Sequence, residues 1–300
     1  NTFVKEIDAF YISNIDYQLS KTEAYLRFND KHAAKQITDK ISNSPLNDGQ
    51  KHRYRKLLKV LNANQIGVYY EFNSFLKDYS QNKTWHTTQL EYMRTEGRQS
   101  FIGRVTYSQR FQDDAFLYEL ESYPVISDRW YGFINLSASS SANFFQNLGI
   151  KASAFYTATK WIEIEGGFRY LDFTQDNFMS YVIGLTSYRS KFYLNARAFV
   201  GPKIEGSMVQ NYQLNVRYYT SNDEDYFFAR IGTGISPDES TRYTQVTYNP
   251  DLKSYYATFG ASKWFNQYNV QASIGYLRED LTNNKKGNQI FGNIGVKHRF

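Results

Sequence analysis

Apolar and polar residues alternate along most of this chain, from about Gln65 to its last residue. In the final segment, for example, Ile290, Ile294 and Val296 share one face, and Lys297 lies on the other. This period of two is typical of a β-strand with one apolar and one polar side. Fourteen such strands are predicted, near 66–75, 85–95, 101–111, 116–126, 130–139, 148–157, 161–171, 179–189, 192–200, 208–219, 226–235, 254–264, 268–278 and 289–300.

The length of these segments separates two explanations of the alternation. Most predicted strands have about ten residues, whereas strands in soluble proteins average about 5–6. A tilted strand needs about 9–11 residues to cross a bilayer. The pattern therefore favours a transmembrane barrel over a soluble β-sandwich. We expect an all-β, antiparallel, up-and-down barrel of about 14 strands, and a count between roughly 12 and 16 fits the uncertainty of strand ends.

The connections between the predicted strands alternate in length. Short ones include TATKW, YRSKF and ISDRW, and longer ones include LKDYSQNKT, RFQDDA, GPKIEGS and SPDESTRYTQVTYNPDLK. Bacterial outer-membrane barrels have short turns on the periplasmic side and longer loops outside. We therefore expect a bacterial outer-membrane location with both termini in the periplasm.

Residues 1–61 follow a helical pattern instead. SP and then NDG mark a break between two stretches of helix-forming residues. Tyr25, Ile37 and Ile41 share one apolar stripe in the first stretch. We predict a periplasmic helical leader that resembles a remnant of a tetratricopeptide-type (TPR-like) repeat array, followed by a barrel over 62–300.

Composition narrows the class further. No run of about 18 apolar residues is present, which excludes a transmembrane helix, and the mean hydropathy is −0.61. Aromatic residues reach 18%, with 27 Tyr, and such rings favour membrane–water interfaces. The absence of cysteine excludes disulfides, thiolate metal sites and cysteine nucleophiles. A net charge of +6 is spread along the chain, which favours a solvated surface and internal pairs over nucleic-acid binding.

Two sets of residues are candidates for defined places in the barrel. Aromatic residues beside the short turns form a candidate periplasmic girdle, comprising Trp130, Trp161, Phe192, Tyr226, Trp264 and Tyr268. A charge facing lipid at the bilayer midplane costs about 2–4 kcal/mol, so charged strand residues must point into the lumen. The candidate lumen-lining residues are Arg104, Arg110, Glu119, Glu121, Glu163, Glu165, Arg169, Arg197, Arg217 and Arg230.

The lumen charges have two interpretations. Arg169, Arg197, Arg217 and Arg230 would line a path for anionic sugars, because the planar guanidinium suits carboxylate and phosphate. Alternatively, mixed charges and inward tyrosines fill and brace the barrel by pairing with one another. From the sequence alone we favour the second interpretation slightly.

No catalytic signature is found. The four histidines are His32, His52, His86 and His298, and their positions make no metal-type cluster. His86, near the outer rim, is the one histidine close to a predicted surface site. Acidic loop residues lack the spacing of a calcium loop, and the glycine-containing turns are not followed by the helix that a phosphate loop needs. We expect no cofactor and no metal.

Several segments resemble the YaiO-type outer-membrane β-barrels, namely NQIGVYYEFNSF, WHTTQLEYMR, GGFRYLDF and VRYYTSNDEDYFFARIGTGISPDE. The resemblance covers most of 62–300. Similar proteins often carry TPR-like helices before the barrel. Outer-membrane barrels also tend to end in an aromatic residue that the barrel assembly machinery recognises, so the resemblance implies that Phe300 is an assembly signal.

These observations lead to three functional hypotheses. The first is a channel or an export/import component for polar solutes, including saccharides, because similar helical-repeat barrels take part in exopolysaccharide secretion. The second is a non-conducting scaffold subunit of a larger outer-membrane complex. The third is a barrel enzyme that acts on lipid or glycan at the outer rim, with His86 as its candidate residue. Expected partners are outer-membrane lipid and lipopolysaccharide, the assembly machinery, and envelope proteins bound through residues 1–61.

Overall fold

The computed structural model describes residues 14–300, apart from 28–29, 62–63, 77–78, 80–82, 97–98, 111–112, 142–143, 175–176, 205–206, 221–223, 235, 239–252, 266 and 281–284. Residues 239–252, which make up most of the predicted long connection SPDESTRYTQVTYNPDLK, therefore lie outside the described residues. The chain divides into two compact units, a helical one and a β-barrel.

The described residues of the helical unit, which begin at Asn14, form three helices where the sequence predicted two. They are α1 (Ile15–Arg27), α2 (Lys31–Ile41) and α3 (Asp48–Leu61). The unpredicted break before α2 has a local cause, because the Asp30 carboxylate accepts a hydrogen bond from the Ala33 backbone N–H at 3.0 Å and caps the new helix. Within the described residues, no helix is long and apolar enough to cross a membrane.

Apolar side chains form the core of this unit. Leu19, Ile41 and Leu57 are buried together, and Ile15, Leu26 and Tyr54 pack around them. Each helix contributes apolar side chains to this core, whereas charged residues such as Asp16, Lys40 and Lys51 are exposed. The helical unit therefore has the burial pattern of a water-soluble domain.

Fourteen antiparallel strands form the second unit, as predicted. Their bounds are β1 (Asn64–Phe75), β2 (Trp85–Glu96), β3 (Gln99–Arg110), β4 (Asp113–Ser122), β5 (Trp130–Ser139), β6 (Leu148–Thr159), β7 (Ile162–Asp172), β8 (Asn177–Arg189), β9 (Phe192–Ile204), β10 (Ser207–Tyr219), β11 (Tyr226–Thr233), β12 (Ser254–Phe265), β13 (Tyr268–Asp280) and β14 (Lys286–Arg299).

The sheet closes on itself. Each strand pairs with its sequence neighbours, and β1 pairs with β14 from Gln65 opposite Arg299 to Phe75 opposite Gln289. Closure leaves no strand edge with unpaired backbone groups, which a barrel in hydrocarbon requires. The predicted up-and-down barrel is thereby confirmed.

Some connections differ from the predicted lengths. RFQDDA and GPKIEGS were predicted as longer loops, but the strands extend into them, so that β3 ends at Arg110 and β4 begins at Asp113. Conversely, the predicted strand over 116–126 ends at Ser122. Pro124 follows and lacks the N–H that a continued ladder would need. The predicted short turn ISDRW therefore belongs to a longer connection between β4 and β5.

Burial alternates along the strands with the apolar face outward. In β8, Tyr181, Ile183 and Leu185 are 59%, 68% and 54% exposed, whereas the neighbouring Ser180 and Thr186 are buried. The outer surface is therefore built for hydrocarbon and the inner surface for polar groups.

Glycines on the inner wall receive aromatic rings from the next strand. Gly295 lies opposite Tyr69 and Gly275 opposite Phe291 in the ladder. A Cβ atom at either glycine would lie 2.2 Å from the facing ring, so no larger residue fits without displacing it. The rings lie against the wall as a result, and the centre of the barrel keeps space.

Candidate functional site

A polar cavity of about 590 Å³ lies inside the barrel. Strands from most of the circumference contribute to its wall, because inward positions of neighbouring strands share one level of the barrel. The wall carries five cationic and five carboxylate side chains, which are Arg104, Lys151, Arg169, Arg197, Arg230, Glu71, Glu91, Glu119, Glu121 and Asp238. The cavity is therefore strongly polar but nearly balanced in charge.

The structure places all ten predicted lumen residues on the inner face of the barrel. Six line the central cavity, namely Arg104, Glu119, Glu121, Arg169, Arg197 and Arg230. The other four lie on the same face outside its lining, namely Arg110, Glu163, Glu165 and Arg217.

One ion-pair network is centred on Arg104, which lies between two carboxylates. Its Nε donates to Glu91 at 2.8 Å, and its Nη1 donates to Glu121 at 2.7 Å. Lys297, on β14, reaches Glu91 at 3.3 Å. The network links β14 to β2, β3 and β4, which lie beyond β1 in the closed sheet.

A second network surrounds Glu165. Arg197 Nε donates to this carboxylate at 2.6 Å, and Ser153 donates to it at 2.8 Å. Arg169 contacts Glu165 at 3.5 Å and donates to Asp238 at 2.6 Å. Asp238 comes from the connection after β11, and so a loop residue completes the charge balance of two wall arginines.

The environment of Asp238 keeps it ionised. Burial alone would raise the pKa of this carboxyl, but the nearby charges of Arg169, Lys151 and Arg197 outweigh burial and hold the pKa at about 2. The contact between this loop residue and the wall therefore persists across ordinary pH.

Arg110, the last residue of β3, lies among aromatic rings. Its guanidinium lies 4.8 Å from the ring centroid of Trp85 and 4.5 and 5.0 Å from those of Phe144 and Phe145. The two phenylalanines belong to the connection between β5 and β6, and so this loop folds over the inner wall. These cation–π contacts accompany a hydrogen bond that Arg110 Nε donates to Ser108 at 3.3 Å.

The predicted aromatic girdle requires one correction. Trp130, Trp161, Phe192 and Tyr268 are about half exposed on the outer surface. Tyr226 and Trp264 lie on the inner face instead, where Tyr226 contacts Arg217 and Trp264 contacts Arg299 at 3.9 Å. The physical reason is strand parity, since Tyr226 is separated by even steps from the inward Arg230.

The histidine considered for catalysis lies outside the cavity. His86 is on the outer face of β2, and its Nδ1 is 2.7 Å from the Tyr70 hydroxyl. His298 packs against Tyr268 on the outer face as well. Across the described part of the chain, no three His, Cys, Asp or Glu side chains come together as metal ligands would.

Sequence reasoning missed loop residues that reach the inner wall, among them Asp238, Phe144 and Phe145. Asp238 lies in an irregular connection, where periodicity assigns no face. Its neighbour Glu239 is also acidic, so the sequence SPDES does not single out Asp238 as the residue that reaches the wall. Phe144 and Phe145 had a clearer signal, because two adjacent aromatic residues in a polar loop indicate burial.

Comparisons with known proteins give a family and a fold. The sequence model described as "YaiO membrane beta barrel domain" matches residues 63–239. No curated protein matches the sequence. Among solved structures, the CymD monoaromatic hydrocarbon channel matches with a TM-score of 0.54 and 12% identity, over 81% of this chain and 90% of that one. OprB of Pseudomonas putida matches with a TM-score of 0.48 and 10% identity, over 84% and 97%.

Proposed function

This chain belongs to the YaiO family of membrane β-barrels, and on that premise we propose that it is an outer-membrane channel for small polar solutes, with both termini in the periplasm. One observation carries the proposal. A closed 14-strand barrel encloses a polar cavity of about 590 Å³. The cavity is large enough to hold a small hydrated solute, and its wall of charged and amide groups provides hydrogen-bond partners for one.

The charge balance of the wall predicts the ion preference of the channel. Five cationic and five carboxylate side chains line the cavity, and most of the arginines are held by carboxylates. The mean potential is therefore close to neutral, and we expect weak selectivity between cations and anions.

Planar lipid bilayers test this directly. We expect small conductance steps from the wild-type protein. Gln271 lines the cavity, so Gln271→Arg shifts the reversal potential toward anion preference and Gln271→Glu shifts it toward cation preference. These two variants are matched controls for each other, because they change the same position with opposite signs. A folded barrel that passes no current overturns the proposal.

A second candidate is a non-conducting scaffold barrel, and a specific observation favours it. Loop residues reach the inner wall at three places: Asp238 binds Arg169, Phe144 and Phe145 cover Arg110, and Tyr79 contacts Glu279 and Gln289. Such contacts brace a lumen. Under this alternative, the bilayer stays silent and other envelope proteins co-purify after gentle extraction. Neither candidate assigns catalysis to the chain.

A further inference from the structure

A smaller chamber of about 230 Å³ adjoins the central cavity and shares Arg197, Arg230 and Asp238 with its wall. Three arginines and one carboxylate line it, in contrast to the balanced central cavity. The carboxylate, Asp238, already binds Arg169 at 2.6 Å. The chamber is therefore the electropositive part of the lumen.

Arg217 differs in its partners from Arg197, which also lines the chamber. Its guanidinium carbon lies 4.9 Å from the ring centroids of both Tyr193 and Tyr226, and it shares a hydrogen bond with Tyr219. Within the described residues, no carboxylate lies within ion-pair distance of it, whereas Arg197 contacts Glu165 at 2.6 Å. The tyrosine rings hold the guanidinium in place and leave its charge uncompensated.

The remaining lining suits sugar hydroxyls. Asn215 donates to Asn195 at 3.3 Å and accepts from Arg230 at 2.5 Å. Amide groups both donate and accept hydrogen bonds, as sugar hydroxyls do. Tyrosine rings offer flat apolar faces for the C–H side of a pyranose. The chamber volume is below the usual 300–1,000 Å³ of drug-sized sites, which indicates a ligand of about one ring.

We propose that this chamber binds a sugar acid, with Arg217 holding its carboxylate through the planar guanidinium and with Tyr193 and Tyr226 flanking the sugar ring. The inference builds on the proposed channel, since it names a class of solute, but its test does not depend on conduction. A bidentate guanidinium–carboxylate pair is the strong, directional interaction that distinguishes such a ligand from a neutral sugar.

Calorimetric titration of the full chain in detergent micelles tests the proposal, with galacturonate, galactose and glutamate as probes. We expect galacturonate to bind about tenfold or more tightly than galactose, which lacks the carboxylate, and than glutamate, which lacks the ring. Equal binding of galacturonate and either of the other probes, or no binding of galacturonate, overturns the proposal.

Variants locate the site. Arg217→Gln is expected to lower the affinity for galacturonate about tenfold or more, to the level of galactose. Arg217→Lys is expected to retain part of the wild-type affinity, because lysine keeps the charge without the planar guanidinium. Arg278→Gln is the matched control, since Arg278 is exposed on the outer face of β13. Wild-type affinity in Arg217→Gln overturns the assignment.

Two outcomes separate this inference from the proposed function. If Arg217→Gln does not fold, Arg217→Lys and Tyr226→Leu provide the same comparison, and unchanged affinity in both overturns the site. A barrel that binds galacturonate but passes no current supports the site and contradicts the channel. A barrel that conducts ions but does not prefer galacturonate supports the channel and contradicts the site.

Discussion

The helical unit and the barrel distribute the same residue types in opposite ways. In the helices, Leu19 and Leu57 are buried while Arg53 lies at the surface. In the barrel, Leu120 and Ile183 are each 68% exposed, while Arg169 is 1% exposed. The difference shows that the surrounding medium decides placement, since water penalises exposed apolar groups and hydrocarbon penalises exposed charge.

Ion pairs in the two units illustrate the energetic consequence. Arg53 meets Glu23 at 3.1 Å with both side chains more than a third exposed, whereas Arg104 meets Glu121 at 2.7 Å with 18% and 9% exposure. Water screens the first pair, and so it contributes little. The second pair has lost most of its water, so each partner depends on the other.

The largest effect is expected when the barrel pair is broken. Arg104→Met leaves Glu121 with neutral partners, namely Asn135 at 3.4 Å and the Tyr123 hydroxyl, and removes the guanidinium that balances its charge. Removing one member of a buried pair typically costs about 3–5 kcal/mol. We expect a loss of that size in the free energy of unfolding, measured by urea titration in lipid vesicles.

Arg53→Met is the matched control in the helical unit. It removes an equivalent contact to a carboxylate, but the exposed pair contributes no more than about 1 kcal/mol. Hydrogen exchange of α3 measures this change. Equal losses in the two variants would contradict the argument from the surrounding medium.

A smaller but still large effect is expected from a charge on the outer face. Ile183 lies at the middle of β8 and is exposed to the hydrocarbon. Ile183→Arg is expected to destabilise the barrel by about 2–4 kcal/mol. Gln271→Arg, which adds the same charge inside the cavity, is expected to cost much less in the same vesicle assay. If the two variants are equally stable, the apolar face does not meet lipid.

The smallest effect concerns pH and the helical unit. Burial, assisted by the charge of Asp39, raises the pKa of the Tyr54 hydroxyl above its usual value of 10.0. As the pH rises, the Tyr54 hydroxyl loses its proton in the unfolded chain before it does so in the folded one. The buried, protonated hydroxyl therefore stabilises the helices fully below pH 10.0, and this stabilisation is lost as the pH rises through the raised pKa.

Absorbance titration of tyrosinate, as the difference between wild type and Tyr54→Phe, measures this pKa. Asp39→Asn is expected to move it part of the way back to 10.0, because only the smaller of the two causes is removed. No displacement of the Tyr54 titration above that value would contradict the packing described for α3.

Sequence periodicity predicted much of the barrel and the side of the wall on which its charges lie. Strand alternation forces Arg104, Glu121 and Arg217 to one face, and the cost of charge in hydrocarbon selects the inner one. The same parity argument, carried from Arg230 to Tyr226, would have placed that tyrosine inside. Its assignment to the girdle relied on nearness to a turn, which does not specify a face.

The sequence by itself determined the barrel, its number of strands to within about two, and the polar character of its interior, because a period of two and a strand length suited to the bilayer are local properties. Only the tertiary structure decided which charges neutralise one another. Register brings Arg104 between Glu91 and Glu121, loop folding brings Asp238 to Arg169, and Arg217 is left among tyrosines. These contacts join residues that are distant along the chain, and their partners follow from strand pairing and loop paths rather than from local pattern.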